Sequence, residues 1–262
     1  MKRLLGGALW LAAAAVASAH DTWMLPRAFH VAPGATVRLG LTSGMAFPRD
    51  ESAIKPDRVA RSGMRLGGRT VPLRAAAGRH ALALSGVAGP AGLATLFVEL
   101  KPRTLDLTPE QVEEYLEEIG ATETAGPKWR ARKDRRWRES YVKLAKSFVA
   151  VGDESDASWA TPVGLSLELV PESDPSRLRA GQGLVVRVLL DGAPLAGQPV
   201  GAVGPRGSVP ARPTDETGRV RFDLDAAGPW LIRSTRLDEA GGAEPLLDWR
   251  SRFATLTFAV AP

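Results

Sequence analysis

The residue best placed to do chemistry is a histidine that processing would expose. Lys2 and Arg3 are followed by an apolar stretch, residues 4–16, and then by Ala17-Ser18-Ala19. A basic start, a short apolar core and an A-x-A-like end describe a secretory signal peptide, and the run is short for a membrane span. Cleavage after Ala19 makes His20 the first residue, in the order His20-Asp21-Thr22-Trp23. Its free α-amine and its own Nδ1 can then close a chelate ring on one metal ion. Both groups give up protons readily when a divalent cation competes for them. Nitrogen donors of this kind suit copper, nickel, cobalt and zinc, with copper favoured by raw affinity. A second imidazole from elsewhere would complete the T-shaped arrangement called a histidine brace.

Few side chains can join it. The chain has three histidines and no cysteine, which excludes thiolate sites, iron–sulfur clusters and disulfides. His30 sits in Phe29-His30-Val31-Ala32-Pro33-Gly34, at the mouth of a turn leading into a strand; it is either an exposed turn residue or a second nitrogen donor. His80 opens the alternating stretch 79–85. A strand there puts it on one face with Leu82 and Leu84, as a half-buried core histidine or as a ligand. Met45, in Ser43-Gly44-Met45-Ala46-Phe47-Pro48, is either core filler or a thioether suited to copper. Asp21 could bind the metal or orient its ligands. GxSxG, HExxH and phosphate-cradling glycine loops are absent, so no hydrolytic enzyme is expected. Oxygen chemistry on a polysaccharide at a copper brace is the enzymatic alternative.

Whatever positions these residues is mainly β. The 262 residues, 44% hydrophobic and 24% charged, suit one large or two modest folded domains. Without residues 1–19 the chain has 243 residues, 32 basic and 29 acidic, a net charge of +3. An N-terminal β region, 20–103, carries expected strands at 36–42, 69–73, 79–85 and 92–100, broken by Gly and Pro. A C-terminal region, 163–262, carries six more at 165–170, 183–190, 198–204, 219–224, 229–235 and 253–260. Asp191-Gly192 is a tight-turn signal between two of them. Short alternating strands at this density suggest an Ig-like or prealbumin-like sandwich.

Between them, 104–150 reads as an α-helical hairpin. Thr108-Pro109-Glu110-Gln111 is a helix start, and Gly120 ends that helix. A second helix is expected at 128–148, where Trp137, Tyr141, Leu144 and Phe148 share a helical face. Residues 128–146 hold nine basic side chains against two acidic ones, which alone would suggest nucleic acid or an anionic membrane. Residues 110–118 hold five glutamates and no base. The two segments are therefore expected to pair with each other, with no nucleic-acid partner, and no transmembrane segment remains after signal removal.

Six blocks carry a family resemblance: His20-Asp21-Thr22-Trp23-Met24-Leu25-Pro26, Val112-Glu113-Glu114-Tyr115-Leu116-Glu117-Glu118, Trp137-Arg138-Glu139-Ser140-Tyr141-Val142-Lys143, Leu167-Glu168-Leu169-Val170-Pro171, Asp191-Gly192-Ala193-Pro194-Leu195-Ala196-Gly197 and Ala254-Thr255-Leu256-Thr257-Phe258. Together they resemble a bacterial periplasmic family filed as a domain of unknown function. Its relatives include the soluble periplasmic component of energy-coupling-factor nickel/cobalt importers. The resemblance implies a periplasmic protein of two β-sandwich regions with a metal-related role, and it lands on His20, Asp21 and Trp23. Nickel-handling relatives carry further histidines near the N-terminus. This chain has Met45 near Gly44 instead, which moves weight toward copper.

The expected function is periplasmic capture of nickel, cobalt or copper by His20, with His80, His30, Met45 or Asp21 completing the site. The metal would pass to a membrane importer or a metalloenzyme. The alternative is a β-sandwich module without metal that recognises a glycan, peptide or protein through exposed tryptophans such as Trp159 or Trp249.

Overall fold

A computed structural model describes residues 20–241 and 246–262. The expected signal segment therefore lies outside the described residues. The first half of the chain forms β1 (Asp21–Pro26), β2 (His30–Val31), β3 (Thr36–Gly44), β4 (Ser52–Ala53), β5 (Val59–Leu66), β6 (Arg69–Val71), β7 (Arg74–Ala76), β8 (Leu82–Val87), β9 (Gly92–Leu100) and β10 (Arg103–Leu107). Two helices follow, α1 (Pro109–Glu118) and α2 (Gly126–Arg130). Then come β11 (Trp137–Val151), β12 (Leu167–Pro171), β13 (Gln182–Leu190), β14 (Ala193–Pro194), β15 (Pro199–Gly204), β16 (Gly207–Pro213), β17 (Arg219–Leu224), β18 (Gly228–Glu239) and β19 (Trp249–Val260). Asp191 and Gly192 make the expected turn between β13 and β14, both with positive φ, +49° and +87°.

A ten-stranded sheet runs β16-β15-β18-β19-β11-β9-β5-β6, with β10 and β2 also on β11. Sheet β1-β3-β8-β7, with β4 on β3, and sheet β12-β13-β14, with β17 on β13, complete the molecule. Strands β9 and β11 show how the layers stack. Leu93, Phe97, Leu144 and Phe148 join one core with Leu169, Val186 and Phe222 of the four-stranded sheet. Ala94, Leu96, Val98, Ala145, Val149 and Val151 join another with Met24, Leu39 and Leu84 of the five-stranded sheet. Successive side chains point to opposite faces, so the large sheet lies between the two smaller ones. The outcome is a mainly β protein with two sandwich cores that share a sheet.

The helix expected at 128–148 is overturned. Its first residues belong to α2, five residues long, and most of the rest is the fifteen-residue strand β11. Tyr141, Leu144 and Phe148 do fall at helical spacing. But Glu139, Lys146 and Ser147, which that spacing would leave on the polar side of a helix, are buried in the strand with partners from other segments, so the helical period there is a coincidence. The helical hairpin is thus α1 plus one short helix. In α1 the start is as expected: Gln111 N–H donates to Thr108 Oγ1, and Thr108 N–H donates to Gln111 Oε1 at 2.9 Å. Gly120, with φ +69°, ends it. Val112, Tyr115 and Leu116 bury against Trp129, Trp137 and Trp249 in a third core.

Most of the basic run is paired, though by a wider set of acids than α1 supplies. Arg130 pairs with Glu113 of α1, Lys128 with Glu239, Arg138 with Asp106, and Arg132 and Arg136 with Asp248. Lys146 is buried against Glu168 at 2.8 Å. Trp249 is also not a surface residue. It is 2% exposed and stacks on Trp137 with centroids 4.7 Å apart. Trp159 is half-buried and packs on the core under the four-stranded sheet.

Candidate functional site at the first strand

His20 directly precedes β1 and is half-buried. One edge of β1 pairs antiparallel with β3. Its other edge lies against β11 and β19, whose side chains answer alternate carbonyls. Lys143 Nζ donates to His20 O at 2.5 Å, Thr255 Oγ1 to Thr22 O at 2.6 Å, and Thr257 Oγ1 to Met24 O at 2.6 Å. The period of two follows from strand geometry, since every second carbonyl points the same way. Trp23, fully buried, sits edge-on to Phe47 with centroids 5.7 Å apart. The strand that carries His20 is therefore fixed along its length.

Charge around His20 is also organised. Arg233 Nη1 donates to Asp21 Oδ2 at 2.7 Å. Burial pushes the Asp21 carboxyl up; the charges of Arg233 and Lys143 offset this only in part, and the net shift is upward. Burial lowers Lys143 to about 8, with Asp21 opposing the shift. Its ammonium also lies 5.5 Å from the Phe253 ring centroid and 5.9 Å from that of Tyr141.

The β1–β3 register ends at the pair Asp21–Gly44, and His20 and Met45 are the next residues beyond it on the two segments. Met45 is 61% exposed, which makes it no core filler. Its loop is held by Glu51, whose carboxylate accepts from Met45 N–H at 3.3 Å and Ala46 N–H at 2.6 Å. His20, Asp21 and Met45 thus gather at one corner.

His30 does not belong to it. It pairs with Ala150 on β11, seven residues beyond Lys143 and hence about 23 Å along the strand. There it is exposed, and its Nε2 lies 3.0 Å from the Gly152 carbonyl. His80 departs from expectation too: β8 begins at Leu82, and His80 lies outside it, exposed rather than sharing a core face with Leu82 and Leu84. The reason is that β3 beyond Leu41 is occupied by β4, so β8 cannot extend to His80. Thr42 Oγ1 donates to the His80 carbonyl at 2.9 Å, on the side of β3 away from β1. Among the described residues no group of three His, Cys, Asp or Glu side chains is gathered to hold a metal.

Sequence reasoning missed Lys143, Arg233, Thr255 and Thr257. Lys143 was assigned to a basic helix, and Arg233 meets Asp21 across 212 positions. The usable signal was Thr255-Leu256-Thr257: two threonines alternating with core residues in a strand invite hydrogen-bond partners for buried hydroxyls.

These strands and layers define a mainly β protein of packed sandwiches. Residues 17–238 match the family described as "Domain of unknown function (DUF4198)", and the chain belongs to it. No curated protein matches the chain. Among solved structures it is similar to the D0-D1 domain of Intimin, at 10% identity over 91% of this chain and 97% of that one, TM-score 0.23. It is also similar to a Salmonella alpha-2-macroglobulin mutant, at 14% identity over 93% of this chain and 15% of that one, TM-score 0.26. A third is the fibronectin(III)-like modules of Clostridium thermocellum CbhA, at 9% identity over 91% and 94%, TM-score 0.23. Likeness at these scores carries no argument; the mainly β class rests on the strands themselves. Among the described residues no helix is long and apolar enough to cross a membrane.

Proposed function

We propose that this chain is an exported, periplasmic metal-binding protein that captures nickel, cobalt or copper through His20 and delivers it to a membrane importer or a metalloenzyme. After cleavage behind Ala19, the His20 α-amine and Nδ1 chelate the ion, and the Met45 thioether is a soft third donor that favours copper. Asp21 is held by Arg233 and acts on orientation rather than as the main ligand. His30, about 23 Å away along β11, takes no part. The observation that carries the reading is the fixing of His20 by the fold, through Lys143 on its carbonyl and through the β1–β3 register toward Met45. A terminal residue with its backbone already ordered loses less entropy on coordinating an ion.

The test compares the chain beginning at His20 with one carrying a single glycine before it, which turns the amine into an amide. Calorimetric titration with Cu(II) and Ni(II) is expected to show at least tenfold weaker binding for the extended chain, and no change for His30→Ala. Equal affinities of the two chains overturn the proposal.

A further inference from the structure

A cavity of about 220 Å³ opens on the other side of Lys143. Lys55, Arg58, Arg103 and Lys143 line one part of it, and Ile54 and Leu100 supply apolar wall. Three segments deliver the four cations. Lys55 and Arg58 bracket a single helical turn, closed by Arg58 N–H on the Lys55 carbonyl at 3.0 Å. Arg103 opens β10 opposite Tyr141, and Lys143 follows two residues later on β11. No acidic side chain lines the cavity.

The nearby carboxylates are spent elsewhere. Asp21 takes Arg233, Glu99 takes Arg61, Asp106 takes Arg138, and Glu51 takes two backbone N–H groups. Asp57, in the turn itself, is exposed and off the cavity wall. Among the described residues Lys55, Arg58 and Arg103 have no ion-pair partner. Arg58 Nη2 donates to the Lys101 carbonyl at 3.0 Å, and its buried Nε has no acceptor. Lys143 spends one of its three N–H bonds on the His20 carbonyl. Four like charges around so small a space raise the local concentration of anions and leave donors to be satisfied.

We infer that this cavity binds a small organic carboxylate, its charged end among Arg58, Arg103 and Lys143 and its carbon body against Ile54 and Leu100. Size and chemistry set the class. The volume corresponds to about seven waters, the scale of a short mono- or dicarboxylate and too small for a nucleotide or an oligosaccharide. Guanidinium groups match a carboxylate's two oxygens with parallel hydrogen bonds. The apolar wall gives no purchase to an inorganic oxyanion. The inference is independent of metal capture at His20, although Lys143 touches both places.

The experiment titrates metal-free protein with butyrate, succinate, butyramide and inorganic phosphate, read by calorimetry and thermal shift. Butyrate or succinate is expected to bind and stabilise, with butyramide silent and phosphate at least tenfold weaker. Arg103→Gln and Arg58→Gln are each expected to weaken carboxylate binding at least tenfold. Arg103 is exposed at the start of its strand, so its variant folds and keeps the test sharp. A glycine placed before His20 is expected to leave carboxylate binding unchanged, which separates failure here from failure of the metal proposal. Phosphate binding as tightly as the carboxylates overturns the assignment of the ligand. Absence of carboxylate binding, or binding untouched by both arginine variants, overturns the site.

Discussion

Glu168 and Glu139 are both buried, at 1% and 0% exposure, yet their surroundings drive them in opposite directions. Burial pushes Glu168 up, but the Lys146 ammonium at 2.8 Å and the backbone N–H groups of Val163 and Leu165 outweigh it, leaving the carboxyl below its ordinary range. Burial also pushes Glu139 up. There the hydroxyls of Ser251 and Tyr115 and the indole N–H of Trp137 offset it only in part, and the shift stays upward. Desolvation opposes the charge at both, so the difference comes from the Lys146 cation together with the backbone N–H groups that only Glu168 receives. The first arrangement ties β12 to β11 across a sandwich core. The second closes the aromatic cluster under α1 with neutral donors alone. Neutral side-chain donors satisfy a buried carboxylate, but here the cost of burying its charge is reversed only where a cation adds to the hydrogen bonds.

Removing the cation breaks the contrast most directly. Lys146→Met leaves Glu168 charged and without its cation, and is expected to cost about 3–5 kcal/mol in denaturant unfolding. Adding Glu168→Gln should recover much of that loss, since the amide removes the lone buried charge while its oxygen still accepts from the backbone N–H groups of Val163 or Leu165. Glu139→Gln, which removes a charge that has no cation, is expected to change stability by about 1 kcal/mol at neutral pH. If it costs as much as Lys146→Met, the contrast is wrong.

Acidity sharpens the same comparison. Glu139, raised in the folded state, contributes stability at low pH that disappears as pH rises from about 4.3 through its folded value. Glu168, lowered, contributes stability above about 4.3 that is lost as pH falls through its folded value. Melting curves between pH 3 and 7, the scan range set by these ordinary carboxylate values, should show Glu139→Gln flattening the upper part of the profile. Glu168→Gln should flatten the lower part. The smallest effect is expected at the surface: Arg130→Ala breaks an exposed pair with Glu113 and should leave the melting temperature unchanged.

Much of this architecture is legible from residue order where one local rule suffices. Gly92–Leu100 and Arg219–Leu224 form the strands their turn-bounded alternation predicts, and Thr108 with Gln111 caps α1 as its spacing requires. Strand β11 is illegible by the same means because its apolar residues fall at helical spacing, while Glu139, Lys146 and Ser147, which read as the polar face of a helix, are buried with partners from distant segments. Lys146 reads as one more surface base until Glu168, twenty-two positions on, is placed beside it. The corner at β1 divides the same way. His20 stands out by its place behind an expected cleavage site, and Met45 follows from the strand register. Lys143 and Arg233 meet it over separations of 123 and 212 residues, which no local pattern encodes.

The hydroxyls of Thr255 and Thr257 reach β1 across 233 positions of chain. A ribosome adding about 5–20 residues per second needs on the order of ten to fifty seconds to cover that distance. Strand β1 is thus tied only after residues 255–257 have been added, and in the interval one of its edges has no hydroxyl to meet. The corner at His20 is accordingly a timer as well as a place: its ties are complete only when residues more than two hundred positions downstream have joined it.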